Sequence, residues 1–306
     1  MQNMSRKFQI VGLGEIVWDI LPSGKRLGGA PANFAFHAHA LGGEGLILSA
    51  VGNDDFGREL LNQLYSLGLD CGNINISKHP TGLIHALISD DGSAEYTIEV
   101  GAAWDFLEWS NETGHLAKNC DAVCFGTLSQ RSFTSRETIY RFLKEVKADC
   151  LRVFDINLRQ YYYSKEIIQN SLQAANVFKL NDEELEVISN LFNISGTTEE
   201  KLDLLLKSFD LELLALTKGA NGSIMIDKNN ISSLPGKPTK VVDTIGAGDA
   251  FTAAMIIGKL NGFSLDHLHL MASSLASYIC TQSGATPKLP ESLIAQFKDK
   301  LFKQFN

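Results

Sequence analysis

From about residue 120 onward the chain repeats one pattern: a short apolar, β-branched run, then a longer stretch whose apolar residues recur at helical spacing. The runs are DAVCFG, LRVFDIN, NVFKLN and LLALTKG, and Ser135 to Lys147, Ser164 to Ala174, Asp182 to Leu191 and Thr198 to Phe209 fall between them. Runs apolar at consecutive positions are strands buried on both faces, and the stretches between them are long enough for crossover helices, so the strands are parallel. Right-handed crossovers place helices on both faces of such a sheet. The expected class is therefore α/β, a doubly wound, mostly parallel sheet. FQIVGLG and LILSAVG predict two further buried strands flanking a helix at Pro31 to Leu41, and Glu59 to Leu67 predicts another helix. The pattern spans nearly the whole chain, which implies one domain over residues 1–306.

Two segments break the rhythm, residues 16–27 and 73–100. In the second, INIS, GLIHALISD and SAEYTIEV are short strands with a turn at Asp90-Asp91-Gly92. Both are inserted between core elements, so they predict a small antiparallel sheet packed as a lid over the edge of the main sheet.

Composition removes several classes of function. Thirty-five acidic against 27 basic residues give a formal charge of −8, the wrong sign for wrapping nucleic acid or coating an anionic membrane. No uncharged apolar stretch approaches the ~18 residues of a spanning helix. The start, MQNMSRKFQIVGLGEIVWDI, meets Glu15 and Asp19 where a signal peptide needs an unbroken apolar run, so a cytoplasmic location is expected. The five cysteines are scattered without a CxxC, and Cys120 and Cys124 lie along an extended run, 121–125 being an expected strand, with no histidine nearby, so buried thiols are expected in place of a disulfide framework or a zinc site. The histidines form no HExxH, and the pairs His37/His39 and His267/His269 point to different helix faces.

The chemistry concentrates at Asp243-Thr244-Ile245-Gly246-Ala247-Gly248-Asp249-Ala250-Phe251, followed by a helical apolar pattern through Leu260. A glycine-rich turn opening a helix presents unpaired N–H groups at the positive end of the helix dipole. Gly246, Ala247 and Gly248 carry almost no side chain, so phosphate oxygens can reach those amides. Asp249 would repel such a phosphate, and a general base is the role that fits it, the alternative being an acidic first-turn residue favoured by the dipole. No GxxxxGK[ST] occurs, and Gly12-Leu13-Gly14 fails as a dinucleotide fingerprint because Val17 stands at the sixth position.

DTIGAGDAF resembles the C-terminal signature of the ribokinase-like (PfkB) carbohydrate kinases, DTxGAGD followed by a small residue and Phe, and GGAPANFAFHAHALGGEGLILSAVG from Gly28 to Gly52 resembles their N-terminal signature. FDINLR at 154–159, the NxxE of Asn181 to Glu184 and the TxGxxG of Thr217 to Gly222 stand between them in family order. Ile245 departs from the Thr of many members but leaves the backbone nest intact. The resemblance covers the whole chain and implies a ribokinase-like fold with a β-sheet lid.

It further implies that Asp249 deprotonates a sugar hydroxyl while the Gly246, Ala247 and Gly248 amides hold the charge of the transferred phosphoryl group of ATP. Glu184, with Asn181, would organise Mg2+ through water, although NDEE alone reads equally as an acidic helix start. Thr217, Gly219 and Gly222 would border the nucleotide. Arg159 would reach a phosphate or remain a solvated surface cation. Asp19, Gly28, Gly29 and Asn33 match acceptor-binding positions, and Asp243 would ligate K+ where a cap is the alternative. GGAPAN is similar to the fructokinase form, and without the lysine of phosphosugar branches it implies fructose as acceptor. The alternatives are another small sugar or sugar acid such as 2-keto-3-deoxygluconate, or a non-catalytic sugar-binding relative. Ala103-Trp104-Asp105 also resembles fructokinase-like members, with Trp104 either lining the sugar or packed in the core. The resemblance leaves room for a homodimer through the lid.

Overall fold

The computed structural model describes residues 6–22, 24–88 and 94–298. Strand β1 (Gln9–Leu13) opens the chain and is followed by β2 (Val17–Leu21), β3 (Gly24–Gly28), α1 (Ala30–Ala40), β4 (Glu44–Gly52), α2 (Asp55–Ser66) and β5 (Ile74–Ser77). Then come β6 (Gly82–Ile88), β7 (Ala94–Ile98), α3 (Asn111–Asn119), β8 (Ala122–Phe125), α4 (Phe133–Glu145) and β9 (Leu151–Asp155). The remainder is α5 (Lys165–Ala174), β10 (Val177–Asn181), α6 (Asp182–Phe192), α7 (Thr198–Ser208), β11 (Leu213–Thr217), β12 (Ser223–Asp227), β13 (Ile231–Leu234), α8 (Ala247–Leu260), α9 (Leu265–Cys280) and α10 (Glu291–Lys298).

The nine-stranded main sheet has the order β13-β12-β11-β10-β9-β8-β1-β4-β5, parallel from β11 to β5 and antiparallel at β12 and β13. Strand alternation divides its side chains between two cores. Val123, Phe154, Phe178 and Leu214 pack with Ile139, Phe142, Ile168 and Leu205 of α4, α5 and α7. Their neighbours Ala122, Val153, Val177 and Leu213 pack with Phe34, Phe251, Met255 and Leu275 of α1, α8 and α9. The expected doubly wound sheet is therefore present, and its helices start where the sequence supplies caps: Asp54, Ser110, Ser164, Asn181 and Thr197 each accept a first-turn N–H.

The small sheet has the order β3-β2-β6-β7, and it corrects the sequence reading at two points. INIS is not in it: β5 pairs in parallel with Ser49–Gly52 and forms the edge of the main sheet. The short polar-apolar strand follows α2 in a crossover, and a four-residue run carries too little pattern to specify its partner. Nor is the lid wholly antiparallel, because β2 and β6, distant in sequence, pair in parallel while the hairpins β2–β3 and β6–β7 are antiparallel. The Asp90-Asp91-Gly92 turn lies outside the described residues. Trp18 and Leu27 of the lid pack on Phe36, Val51 and Leu60, which seats it over α1 and α2.

Cys120, Cys124 and Cys150 are buried and Cys71 and Cys280 half-buried, all with free thiols. Among the described residues no cluster of His, Cys, Asp or Glu is arranged to hold a metal ion, and no helix is long and apolar enough to cross a membrane.

Candidate active site

The carboxyl ends of the parallel strands, the start of α8 and the lid converge on one region, where open α/β sheets place their ligands. α8 begins at N-cap Gly246 with φ 78°, and no side chain caps its first turn. A Cβ on Gly246 would stand 2.7 Å from Ala285, so both the left-handed backbone and the close approach require glycine. His37 fixes that wall. It is fully buried, its pKa is pushed down to about 4 by that burial, and Nε2 lies 2.9 Å from the Ala285 carbonyl. A carbonyl only accepts, so the neutral ring carries its proton on Nε2. Of the nest amides, Ala247 N–H makes a long 3.3 Å bond to the Thr244 carbonyl.

Asp249 lies in the first turn of α8, half-buried and bonded through Oδ2 to Asn33 Nδ2 at 2.8 Å. Asn33, 4% exposed, belongs to α1, so this bond joins the two sequence signatures across the core. Burial pushes the Asp249 pKa up to about 6, and Asp155 adds to that, while the Asn33 bond and the Lys179 and Arg159 charges oppose it. Gly28 closes β3, and Gly29 is the N-cap of α1. A Cβ at Gly28 would meet the Asp19 carboxylate at 2.3 Å, so Asp19 of β2 packs directly on the signature. Burial raises Asp19 to about 6 against the pull of Arg159 and Arg26.

Sequence reasoning passed over Glu15 and Ser129. Glu15 is 3% exposed, and burial lifts its pKa to about 7 while Arg159 lowers it and Asp249 raises it. Asn33 Oδ1 is buried without a hydrogen-bond partner in the protein, and the buried Glu15 carboxyl and Ser129 hydroxyl have no side-chain partner beyond each other. A carboxylate inside the apolar context GLGEIVW was the available signal. Arg159, exposed after β9, faces Glu15, Asp19 and Asp249 electrostatically, which places its charge beside those three carboxyls.

The remaining expected residues form the other flank. Asn181 and Glu184 make a reciprocal capping box at α6, Glu184 N donating to Asn181 Oδ1 and Asn181 N to Glu184 Oε2, each at 2.8 Å. Glu184 Oε1 accepts from Leu158 N at 2.9 Å, so the carboxylate, 5% exposed, clamps the exit of β9 to the start of α6. Each oxygen retains a lone pair, which leaves Glu184 able to accept from a metal's water shell. Thr217 ends β11, and Gly219 and Gly222 bound the short turn into β12. Asp243 does not cap α8. Its Oδ1 accepts from Ile245 N at 3.0 Å, while its Oδ2 accepts from Gly284 N at 3.1 Å and pairs with Arg26 Nη1 of β3 at 3.0 Å. Any cation at Asp243 would share its carboxylate with Arg26. Trp104 is fully buried beside Val17, Ile98 and Leu128, a core residue. A cleft of about 630 Å3 lined by Arg6, Gln9 and Glu44 opens at the opposite, amino ends of β1 and β4, away from these groups.

Raised carboxyls set a pH dependence, and burial lifts Glu184 as well as Glu15, Asp19 and Asp249. Between their ordinary range and about 6 for Asp19 and Asp249, or about 7 for Glu15, the folded chain keeps protons that the unfolded chain has released. Stability therefore falls as pH rises through that window. Melting curves of the unliganded protein from pH 4.5 to 7.5 should show this decline flattened in Glu15→Gln, and identical pH dependence in parent and variant would refute the assignment.

A family model described as pfkB family carbohydrate kinase matches residues 23–292. The fructokinase of Escherichia coli is 30% identical over 302 residues, covering 91% of this chain and 95% of that protein. Among solved structures, an uncharacterized sugar kinase of Pyrococcus horikoshii in complex with ATP superposes with a TM-score of 0.79 at 25% identity, covering 95% of this chain and 99% of that one. The fructokinase of Xylella fastidiosa with bound ATP shares the fold, with a TM-score of 0.83 at 20% identity over 95% of this chain and 98% of that one.

Proposed function

Because this chain belongs to the pfkB family of carbohydrate kinases, we propose that it transfers the terminal phosphoryl group of ATP to a hydroxyl of free fructose, giving fructose 6-phosphate. The observation that carries the reading is the Asn33–Asp249 bond of 2.8 Å, which sets a half-buried carboxylate between a phosphate-binding helix start and the GGAPAN segment. Around it, Asn33 Oδ1 lacks a partner, and Glu15 and Ser129 have no side-chain partner beyond each other. Buried polar atoms are costly when unpaired, and the hydroxyls of a polyol, each both donor and acceptor, satisfy such a set.

In this reading Asp249 accepts the proton of the attacking hydroxyl as its oxygen bonds to phosphorus. A carboxyl with a pKa of about 6 is ionised at neutral pH yet basic enough for the task. The amides of Gly246, Ala247 and Gly248 stabilise charge on the phosphoryl oxygens, which is most of what a loose transition state requires. Asp19 and Asn33 orient the acceptor, while Thr217, Gly219 and Gly222 border the nucleotide. Magnesium would neutralise nucleotide charge, with Glu184 and Asn181 meeting its water shell. Arg159 favours one second reading, a sugar acid, since its guanidinium faces the acceptor-side carboxyls and would pair with a substrate carboxylate.

ADP formation measured across fructose, ribose, 2-keto-3-deoxygluconate, fructose 6-phosphate and no acceptor tests the assignment. Fructose should give the highest kcat/KM. A higher value for the sugar acid selects the second reading, and no stimulation by any acceptor rejects transfer to sugar.

Two outcomes follow from the geometry. Asp19→Ala should raise the fructose KM by roughly 10-fold or more while the ATP KM changes less than twofold, as expected for a group that grips only one substrate. An equal rise for both substrates would place Asp19 outside the acceptor site. The lid should also close over sugar to keep water from the phosphoryl group. Amide hydrogen exchange in β2, β3, β6 and β7 should then slow at saturating sugar, and unchanged exchange there would remove closure from the mechanism.

A further inference from the structure

Lys179 stands at the centre of β10 and Asp155 at the carboxyl end of β9, and the core does not require a charge at either position. Lys179 of β10 and Asp155 of β9 are direct register partners. Strand alternation puts them on the face of Val153 and Val177, beneath α8. Both are nearly buried, 7% and 5% exposed. Burying an ion pair carries a desolvation cost that the attraction must first offset, and a well-packed apolar pair is often as stable or more so. Stability alone is therefore a weak reason for a lysine here.

The contacts lead into the first turn of α8. Lys179 Nζ donates to Asp155 Oδ1 at 3.0 Å. The Thr252 hydroxyl lies 2.8 Å from Asp155 Oδ2 and 3.0 Å from the Gly248 carbonyl, so its one proton is shared between them. A Cβ on Gly248 would stand 3.0 Å from Lys179 Nζ, so the ammonium lies directly under the nest and glycine at 248 leaves it room. The chain of contacts begins at Lys179 and ends on the peptide that precedes Asp249.

We propose that Lys179 is a positioning residue for phosphoryl transfer: acting through Asp155 and Thr252, it fixes the first turn of α8 so that the nest amides and the Asp249 carboxylate keep one mutual geometry. The inference rests on the sugar-kinase reading for its catalytic consequence but not for its structural one. Misplacement of reacting groups by about 1 Å costs on the order of 10²-fold in rate, which sets the scale of the effect.

The charges around the turn make a second readout available. Asp249 is faced by Glu15, Asp155, Lys179, Arg159 and the buried Cys124 thiol, besides Asn33. Lys179 is faced by Asp155, Glu184, Asp249 and Cys124. Burial works against its ammonium, yet the Asp155 and Glu184 charges outweigh burial and raise its pKa, so it is charged at working pH.

The test uses the full chain with Lys179→Met, Thr252→Val, their double variant, and the neutral pair Lys179→Met with Asp155→Asn, which avoids leaving a lone buried charge. Lys179→Met and the neutral pair should lower kcat by about 10²-fold, with less than a twofold change in the fructose KM. In Lys179→Met the acid limb of kcat should also move upward by roughly one pH unit. Thr252→Val should lower kcat without moving that limb, and adding it to Lys179→Met should cost less than the product of the two single losses, since both interrupt one path. In the unliganded protein, amide exchange over residues 246–252 should quicken by tenfold or more in every variant that breaks the path. A neutral pair with parental kcat, parental pH profile and parental exchange overturns the proposal, and so do fully multiplicative losses in the double variant. If the parent fails to phosphorylate any acceptor, the sugar reading falls, and the exchange comparison alone then decides for or against the path.

Discussion

Replacing Asp249 by asparagine should lower kcat by about 10²–10⁴-fold, the usual loss when a general base is removed. The fold should tolerate it. Asparagine keeps the size of the side chain, its amide oxygen can still accept from Asn33 Nδ2, and one negative charge leaves a neighbourhood that already holds Asp155 and Glu15. Any change in unfolding free energy should remain within ~1 kcal/mol. Losing a carboxylate beside the anion nest should leave the ATP dissociation constant level or lower, because the ground-state repulsion is gone. Parallel measurement of kcat, nucleotide affinity and melting temperature separates this from a first-turn aspartate that only serves the helix dipole, which predicts a fall in stability and little change in turnover. Turnover within tenfold of the parent, or a loss explained wholly by unfolding, would remove Asp249 from the base role.

The largest stability effect is expected away from the nest, at Arg131. Its Nε and Nη2 pair with the two oxygens of Asp105 at 2.8 and 2.7 Å, and the side chains are only 7% and 4% exposed. The guanidinium also lies over Trp104, 4.1 Å from the ring centroid, and donates to the Glu99 carbonyl beside the end of β7. Arg131→Met keeps much of the apolar contact with Trp104 and leaves Asp105 buried without its counter-charge. Breaking a buried pair in this way costs about 3–5 kcal/mol, which denaturant unfolding reads directly. Adding Asp105→Asn should recover most of the loss, since an amide oxygen can still accept from Gly101 N and Ala102 N. A single variant as stable as the parent would mean that water already screens the pair.

What could be read from the sequence was what local geometry dictates. The nest at 246–248 was legible because a glycine-rich helix start needs only its own residues to form, and Gly246 takes the left-handed conformation that such a turn requires. The buried strands were legible because unbroken apolar runs with helical segments between them allow few arrangements other than a covered parallel sheet, and the capping box at Asn181 to Glu184 lies within four adjacent residues. The choice of partner among distant segments was not legible. β5 joined the main sheet and β2 paired in parallel with β6, because short strands without strong alternation carry no address for their neighbours. The same holds for side chains whose meaning depends on a contact far along the chain. In the sequence Glu15 only interrupts an apolar run near the start, and nothing local distinguishes Arg26 or Lys179 from other charges. Only the tertiary structure buried Glu15 near Asp249, set Arg26 on Asp243 and placed Lys179 beneath Gly248. A charge acquires its function from the groups that burial brings within a few ångströms of it, and chain folding, not sequence spacing, determines which groups those are.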